Sequence, residues 1–205
     1  MNERDRLSDL QMTTLPPSPS PDLHTIELTP EREAQLQRFF EANPEYYEIY
    51  YGEPPGPREA HEEIHGELPA GWSFTRKWLI GYLDSAGEMV AMANVVSDLL
   101  APRVWHIGFL VIATARHGTG LAQALYDGLE RWAVESGAEW LRLGVVAGNA
   151  RAERFWASRG FLETRTRRET PYRKRTHTMR VLYKPLAGGT LEEYRALVPR
   201  DRPEA

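Results

Sequence analysis

The amino-acid sequence predicts an α/β (α+β) fold in which helices pack on a mixed β-sheet. Strand-like apolar runs alternate with amphipathic segments along most of the chain. Two of these runs are joined by the polar link at 84–88, which is typical of a β-hairpin. A later run at 104–113 leads through a glycine-rich turn into an amphipathic segment that reaches Ser136. Hairpins on both sides of a strand–helix–strand unit require parallel and antiparallel pairs in the same sheet.

Composition excludes several classes of site. The 205-residue chain has a net charge of −4, so it has no general electrostatic attraction to nucleic acid or anionic membrane. It contains no cysteine, which excludes disulfides, thiolate catalysis and cysteine-ligated zinc. No apolar run is long enough to span a bilayer, and the charged N-terminus lacks the core of a signal peptide. We therefore expect a cytoplasmic protein without nucleic-acid or membrane partners.

The first part of the chain is predicted to be a tail followed by a strand and helices. Residues 1–22 include a proline-rich run that suits neither a helix nor a sheet ladder, so we expect a disordered N-terminal tail. A short strand is expected at 24–28. Thr29–Pro30 is typical of a helix start, with threonine as the N-cap. Asn43–Pro44 ends that helix, and a further helical piece is expected at 58–65.

The remaining elements follow from apolar runs and glycine breaks. Further strands are expected at 78–84, 89–97, 104–113, 140–146, 161–166 and 177–184, and helices at 121–136 and 150–159. Gly188–Gly189 marks the end of the domain, which we place at residues 23–186. Residues 187–205 then form a C-terminal extension with a short helix.

The glycine-rich turn, residues 116–122, predicts an anion site. It lies between an apolar strand and an amphipathic helix. Glycines let the backbone approach a ligand closely, and the first N–H groups of a helix are unpaired and point toward it. The ligand of this turn is therefore expected to carry phosphate groups.

Two spaced signatures resemble those of the GNAT superfamily of N-acetyltransferases. The acyl-CoA motif of that family reads Arg or Gln, two residues, Gly, one residue, then Gly or Ala. The stretch 117–122 supplies two glycines and a final small residue, with His117 at the first position. The second signature follows the strand that ends at Val146 and consists of Asn149, Ala152, Phe155, Trp156, Gly160 and Phe161.

The resemblance implies a GNAT-like sheet of about six to seven strands, mixed and splayed, flanked by about four helices. It also implies an acetyl-CoA site in the gap between strands 104–113 and 140–146. In that site the backbone of Leu110 and Ile112 would pair with the pantetheine arm, and Asn149 would contact the same arm. The loop residues expected at the diphosphate are His117, Gly118, Thr119, Gly120, Leu121 and Ala122.

Acetyl transfer to a primary amine of a small molecule or protein needs a group that removes a proton. A lysine-like amine is mostly protonated at pH 7. The family often has a glutamate early in the central strand, where this chain has His106 and Gly108. Many members also protonate the leaving thiolate with a tyrosine at the position of Trp156, whose indole is not a usable acid. Without cysteine, we expect direct transfer in a ternary complex.

The acceptor side is expected to involve a tyrosine group. Tyr46, Tyr47 and Tyr50 recur at helical spacing where family members place an acceptor-binding helix. The same spacing is typical of ordinary core packing, so both interpretations remain open. The sequence also allows a homodimer, although no residue requires one.

Two other functions compete with the enzyme hypothesis. The replacement at Trp156 leaves a non-catalytic acyl-CoA-binding sensor as an alternative. His61, Glu62 and His65 satisfy H-E-x-x-H, the pattern of zinc hydrolases. Pro57 and Gly66 leave that segment barely two helical turns, and no third ligand follows at a familiar spacing. We therefore expect no metal.

Overall fold

The computed structural model of the protein describes residues 15–168 and 174–203. Within these residues a seven-stranded sheet has the order β1-β2-β3-β4-β5-β7-β6. The strands are β1 (Leu23–Glu27), β2 (Arg76–Asp84), β3 (Met89–Ser97), β4 (Val104–Ile112), β5 (Trp140–Val146), β6 (Leu162–Arg168) and β7 (Thr178–Pro185). The predicted mixed sheet is confirmed, because β4 and β5 pair in parallel while the other neighbours are antiparallel.

Six α-helices flank the sheet in the described part of the chain. They are α1 (Glu33–Ala42), α2 (Glu45–Tyr51), α3 (Glu59–His65), α4 (Leu121–Glu135), α5 (Ala150–Ser158) and α6 (Leu191–Leu197). Pro30 begins a short 3₁₀ turn after Thr29, and α1 follows directly. The predicted N-cap role of Thr29 is wrong, because its hydroxyl makes no capping bond and donates to the Glu31 carboxylate instead. The family resemblance implies about four helices, and the structure has more. Three of the six, α2, α3 and α6, are short helices of 7 residues each.

Apolar side chains bury both faces of the sheet. Helices α4 and α5 cover one face, where the rings of Trp78, Trp105 and Trp132 pack with centroids 5.0–5.2 Å apart. Helices α1, α2 and α3 cover the other face, where Phe40 lies edge-on to Phe109 at 5.9 Å. The sheet therefore forms the middle of three layers, and α4 and α2 lie on opposite sides of it.

A β-bulge changes the direction of side chains in the central strand. Asn94 pairs with Phe109 and Val95 pairs with Ile107, so Gly108 has no opposite residue. Before the bulge Ile107 packs on the α4 face, whereas Phe109 after it packs on the α2 face. The extra residue re-aims the second half of β4, which borders the candidate site.

Both ends of the described chain pack against core clusters. Pro16 is buried and Leu15 packs against the main core cluster, although the sequence places both in the tail. The rest of the predicted tail, 1–14, lies outside the described residues. Helix α6 begins with a capping box between Thr190 and Glu193. It packs through Tyr194, which is fully buried, so the extension predicted at 187–205 contributes to a core cluster.

Candidate active site

The candidate site is a cleft between two strands that stop pairing halfway along their length. The parallel ladder between β4 and β5 ends at Ile107 and Leu143, and the remaining residues of the two strands diverge. The diverging halves, the glycine-rich turn and parts of α2 and α5 enclose a cavity of about 490 Å³. That volume is within the range of small-molecule and cofactor sites. The predicted splay of the sheet is therefore confirmed.

The backbone of β4 presents hydrogen-bonding groups to this cleft. Ala113 donates its N–H to Val90 on β3. Because residues of an antiparallel strand alternate in direction, Ile112 and Leu110 direct their N–H and C=O groups away from β3, toward the gap. Beyond Ile107 these groups have no partner in β5. An extended ligand can occupy the place of the missing strand.

The glycine-rich turn leads into the first turn of α4. Gly118 and Gly120 have left-handed backbones with φ of +76° and +85°, and a Cβ on either would meet no heavy atom within 4 Å. The N–H groups of Gly118, Gly120 and Ala122 donate to no acceptor in the described part of the chain. Thr119 differs, because its hydroxyl lies 3.4 Å from the Leu121 N–H and donates to a carbonyl within the loop. The turn thus combines open space, unpaired donors and the positive end of a helix dipole.

His117 is held by contacts on both of its nitrogens. Its Nε2 lies 3.0 Å from the Ile112 carbonyl, which can only accept, so this nitrogen carries the hydrogen. Its Nδ1 lies 3.1 Å from a guanidinium nitrogen of Arg151. Arg151 in turn pairs with Glu45 at 3.0 Å. The three side chains connect α2, the glycine-rich turn and α5 across the mouth of the cleft.

Asn149 begins α5 at the edge of the cleft. Its Oδ1 accepts a hydrogen bond of 3.2 Å from the N–H of Ala152, which is an N-cap contact. Because the oxygen is used in capping, the amide nitrogen is the end of this side chain that can donate into the cleft.

His106 lies on β4 next to a buried ion pair. Its Nδ1 is 3.1 Å from the carbonyl of Arg142, so the tautomer that donates from Nδ1 leaves Nε2 with a lone pair. The Arg142 guanidinium binds the Asp201 carboxylate through two bonds of 2.8 and 2.9 Å. Tyr194 donates to the same carboxylate at 2.7 Å. The segment after α6 thereby positions the residue that flanks His106.

Trp156 and the tyrosines form aromatic walls. Trp156 lines the cleft but is 9% exposed, and it packs edge-on against Tyr126 at 5.6 Å and Phe161 at 5.3 Å. On the opposite side Tyr46 and Tyr50 stack at 5.8 Å and also line the cleft. Burial, followed by the charges of nearby phenols, raises the pKa of Tyr46 well above its usual value, so this group stays a neutral phenol at pH 7.

Comparison with known proteins identifies the family. The family model described as Acetyltransferase (GNAT) family matches residues 36–161, which is more than half of the chain. The chain belongs to the GNAT acetyltransferase family. No match is found among curated proteins.

None of the helices in the described residues is long and apolar enough to cross a membrane.

Solved GNAT structures resemble this GNAT protein over most of its length at low sequence identity. The ribosomal-protein-S18-alanine N-acetyltransferase from Escherichia coli is 16% identical with a TM-score of 0.61, covering 82% of this chain and 96% of its own. Spermidine N-acetyltransferase from Vibrio cholerae, solved with CoA and spermine, is 15% identical with a TM-score of 0.63, covering 82% and 98%. A GCN5-related N-acetyltransferase from Kribbella flavida is 21% identical with a TM-score of 0.58, covering 81% and 99%. These matches show that the GNAT fold is shared.

In this GNAT protein most of the sequence-predicted site residues line one cleft. They are Tyr46, Tyr50, His106, Leu110, Ile112, His117, Gly118, Gly120, Ala122, Asn149 and Trp156. Thr119, Leu121 and Tyr47 do not line it, and Tyr47 is 3% exposed within the α1–α3 core. The predicted site roles of all these residues stay predictions. Sequence reasoning missed Glu45, Trp72, Arg142 and Arg151, which also line the cleft. No local signal marks these four, because each depends on contacts between distant elements.

The H-E-x-x-H segment of this GNAT protein lies outside the cleft. His61 and His65 are on α3 and their side chains are 39% and 46% exposed. Neither lines the cavity, and the helix has 7 residues. The family and fold do not favour the zinc-hydrolase alternative.

His106 predicts a specific dependence of stability on pH. Burial, and then the positive charge of Arg142, lowers the pKa of His106 to about 3. A histidine in the unfolded chain titrates near 6.5, so between these values the unfolded state binds more protons. The buried, neutral imidazole therefore costs no stability above about pH 6.5. The free energy of unfolding falls as the pH decreases from there toward 3. We expect the loss to reach about 2 kcal/mol at pH 5.

Urea unfolding at pH 7.5 and pH 5.0 measures this effect. Glutamine cannot titrate, so the free energy of unfolding of His106→Gln should fall less than that of the native chain between pH 7.5 and pH 5.0. The difference between the two falls should be about 2 kcal/mol. His24→Gln, at an exposed position on β1, controls for the removal of a histidine. An equal pH response of the native and His106→Gln proteins would contradict the burial of this imidazole.

Proposed function

We propose that this protein transfers an acetyl group from acetyl-CoA to a primary amine of a small molecule or protein. The main support for this proposal is the cleft that opens where β4 and β5 stop pairing. The unpaired N–H groups of the glycine-rich turn lie along this cleft. Family membership supports acetyl transfer as the reaction.

The residues along the cleft suit the parts of acetyl-CoA. The N–H groups of Gly118, Gly120 and Ala122 would bind the diphosphate at the start of α4. The unpaired backbone of Leu110 and the N–H of Ile112 would bind the amide groups of the pantetheine arm. The Ile112 carbonyl already accepts from His117, so the donor of this residue is the group available to the ligand. The open space beside both glycines admits the phosphates without a steric clash.

The acceptor amine would enter at the end of the cleft nearest His106. Tyr46 and Tyr50 from α2 and Trp72 from the loop before β2 line the cavity together with this histidine. The Arg142 guanidinium lies 5.6 Å from the Trp72 ring centroid, which helps to place that ring. These aromatic faces would hold the acceptor beside the reacting carbon.

An acceptor that arrives as an ammonium first loses one proton to water, which leaves a neutral amine. The amine nitrogen then bonds to the acetyl carbon as the carbon–sulfur bond breaks, a second proton leaves the nitrogen to water, and one proton joins the sulfur. We propose that Nε2 of His106 orients the water that removes the first proton, because burial keeps the imidazole neutral but makes it a weak base. An alkyl thiol in water has a pKa of about 8.5, so water can protonate the departing thiolate without an acid at Trp156.

Transfer without a covalent enzyme intermediate follows from the available nucleophiles. The chain has no cysteine, so direct attack by the amine in a ternary complex is the proposed route. Initial rates measured while both substrates are varied should give intersecting rather than parallel lines in double-reciprocal plots. Parallel lines would indicate a ping-pong mechanism and contradict this route.

His106→Ala separates the proposed proton transfer from cofactor binding. We expect kcat at pH 7.5 to fall by about 100-fold, because the water that accepts the proton loses the group that orients it. The Kd for acetyl-CoA, measured by calorimetry, should stay within about threefold, since the imidazole lies at the acceptor end. Equal kcat in His106→Ala and the native enzyme would remove the histidine from the mechanism.

Trp72→Phe, which keeps an aromatic ring at the same end, should change KM for the amine more than kcat.

Release of free thiol from acetyl-CoA tests the function as a whole. A panel of primary amines should include at least one that accelerates thiol release, and mass spectrometry should show a gain of one acetyl group on that amine. Saturable acetyl-CoA binding without turnover over a broad panel would instead support a non-catalytic acyl-CoA-binding role. Absence of binding would contradict both.

A further inference from the structure

A second cluster of chemically active side chains lies outside the cleft, between α1 and α3. His61 and His65 are four residues apart on α3, so their imidazoles lie on the same face of the helix, with ring centroids 4.4 Å apart. Glu33 from the first turn of α1 faces both rings. Its Oε2 is 3.1 Å from Nδ1 of His61 and 3.5 Å from Nε2 of His65.

We propose that Glu33, His61 and His65 bind a divalent transition-metal ion of the zinc class. Each residue offers one ligand atom, and these atoms all lie within 4.8 Å of one another. In a tetrahedral site with metal–ligand bonds near 2.0–2.1 Å, ligand atoms are about 3.3 Å apart. The two distances to the carboxylate already match that spacing. Two imidazoles with one carboxylate are a recurrent ligand set for such ions.

The third ligand explains why the sequence argues against a metal. The H-E-x-x-H pattern has no further ligand downstream at a familiar spacing, so the sequence predicts no metal. The structure instead supplies Glu33, which precedes the first histidine by 28 residues. The proposed site departs from that expectation because two helices, not one motif, provide its ligands.

Contacts around the cluster hold the two helices in a fixed relation. The side chain of Gln37 on α1 accepts from the N–H of Ala60 at 3.0 Å and donates to the carbonyl of Gly56 at 2.9 Å. Ala60 is fully buried at this contact. On the far side of α3, Glu63 accepts from Asn94 of β3 at 2.6 Å. The ligands therefore project from a scaffold that needs little rearrangement, which is what a metal site requires.

The position of the cluster would let a bound ion tie two helices together. The three side chains are between 37% and 46% exposed, so water can fill the remaining coordination position. None of the three lines the acetyl-transfer cleft. A bound ion would join α1 to α3, which together cover the α2 face of the sheet.

Calorimetric titration of zinc chloride into the tag-free, EDTA-treated full chain at pH 7.5 tests the proposal. We expect one ion per chain, and a loss of affinity of about tenfold or more in His61→Ala, His65→Ala and Glu33→Gln. His24→Ala, which removes an exposed histidine on β1, is the matched control and should bind zinc like the native chain. Magnesium chloride should give no comparable binding, because that ion prefers oxygen ligands.

Thermal unfolding provides a second readout that does not depend on activity. Zinc at about 100 times the Kd of the native chain should raise the midpoint of that chain by about 5 °C or more, and it should raise the midpoint of His61→Ala by at most about half as much. All substituted side chains are partly exposed, so far-ultraviolet circular dichroism should show folded variants. The proposal is overturned if the native chain does not bind zinc at millimolar concentration. It is also overturned if the native chain and all three variants bind zinc equally. In either case the cluster would be only a set of side-chain contacts between Glu33 and the two histidines.

Discussion

Gly120→Glu is expected to weaken CoA binding by about 100-fold or more. Gly120 has φ of +85° and opens directly onto the cleft, so a glutamate side chain would project into the space proposed for the diphosphate. Like charges about 4 Å apart near a protein surface repel by up to about 4 kcal/mol. About 2.7 kcal/mol is enough for a 100-fold change in Kd. Isothermal titration with CoA measures the effect.

A second glycine controls for backbone strain. Gly87 lies in the hairpin between β2 and β3 with φ of +79°, and its Cβ position is equally open. Gly87→Glu therefore introduces the same strain and the same charge at a place that does not line the cleft. It should bind CoA within about twofold of the native chain. If the two variants bound CoA equally well, the glycine-rich turn would not be the diphosphate site.

Asp201→Asn is expected to destabilise the fold by about 3–5 kcal/mol. The substitution leaves the Arg142 guanidinium without its negative partner in a place where both side chains are 1–3% exposed. Removing one member of a buried ion pair strands the other charge in a poorly solvated environment. Burial alone would raise the pKa of Asp201, but the hydrogen bonds and charge of Arg142 outweigh it and hold that pKa below its usual value. Urea denaturation at pH 7.5 measures the loss.

An exposed ion pair gives the matched comparison. Arg103 and Glu139 also form an ion pair, but their side chains are 64% and 41% exposed. Glu139→Gln should change stability by at most about 1 kcal/mol, because water solvates the remaining arginine. The stabilisation from Asp201 should be present above about pH 4 and should be lost as pH falls through its lowered pKa. Similar small effects in both variants would show that Asp201 does not form a buried pair with Arg142.

The buried pair of Arg142 and Asp201 shows that a domain boundary cannot always be identified from the local sequence. Gly188–Gly189 looks like the end of a domain because glycine pairs interrupt regular structure. Yet Asp201, which follows them, reaches back 59 residues to Arg142 in the centre of the sheet. A single arginine in an apolar strand gives no indication of which distant carboxylate will pair with it. The boundaries of the tail and extension therefore stay predictions, although described residues of both segments pack against core clusters.

Sequence reasoning worked best where one element determines the outcome. The strand at 104–113 and the glycine-rich turn after it were recognisable because alternation, glycine conformation and helix periodicity are local properties. The bulge at Gly108 was not, because it depends on which residues of β3 lie opposite. That bulge places Phe109 and Tyr46 in contact, with ring centroids 4.2 Å apart. One wall of the cleft therefore depends on strand register.

The sequence by itself determined the order of strands and helices and the mixed sheet, and it predicted the stretch 117–122 as an anion site. These features depend on spacing within a few residues, where backbone geometry and burial period leave few alternatives. Only the tertiary structure decided that β4 and β5 separate beyond Ile107, that Arg142 is buried against Asp201, and that Glu33 joins the two histidines of α3. Each of these depends on residues far apart in the chain, and their proximity results from packing the whole core.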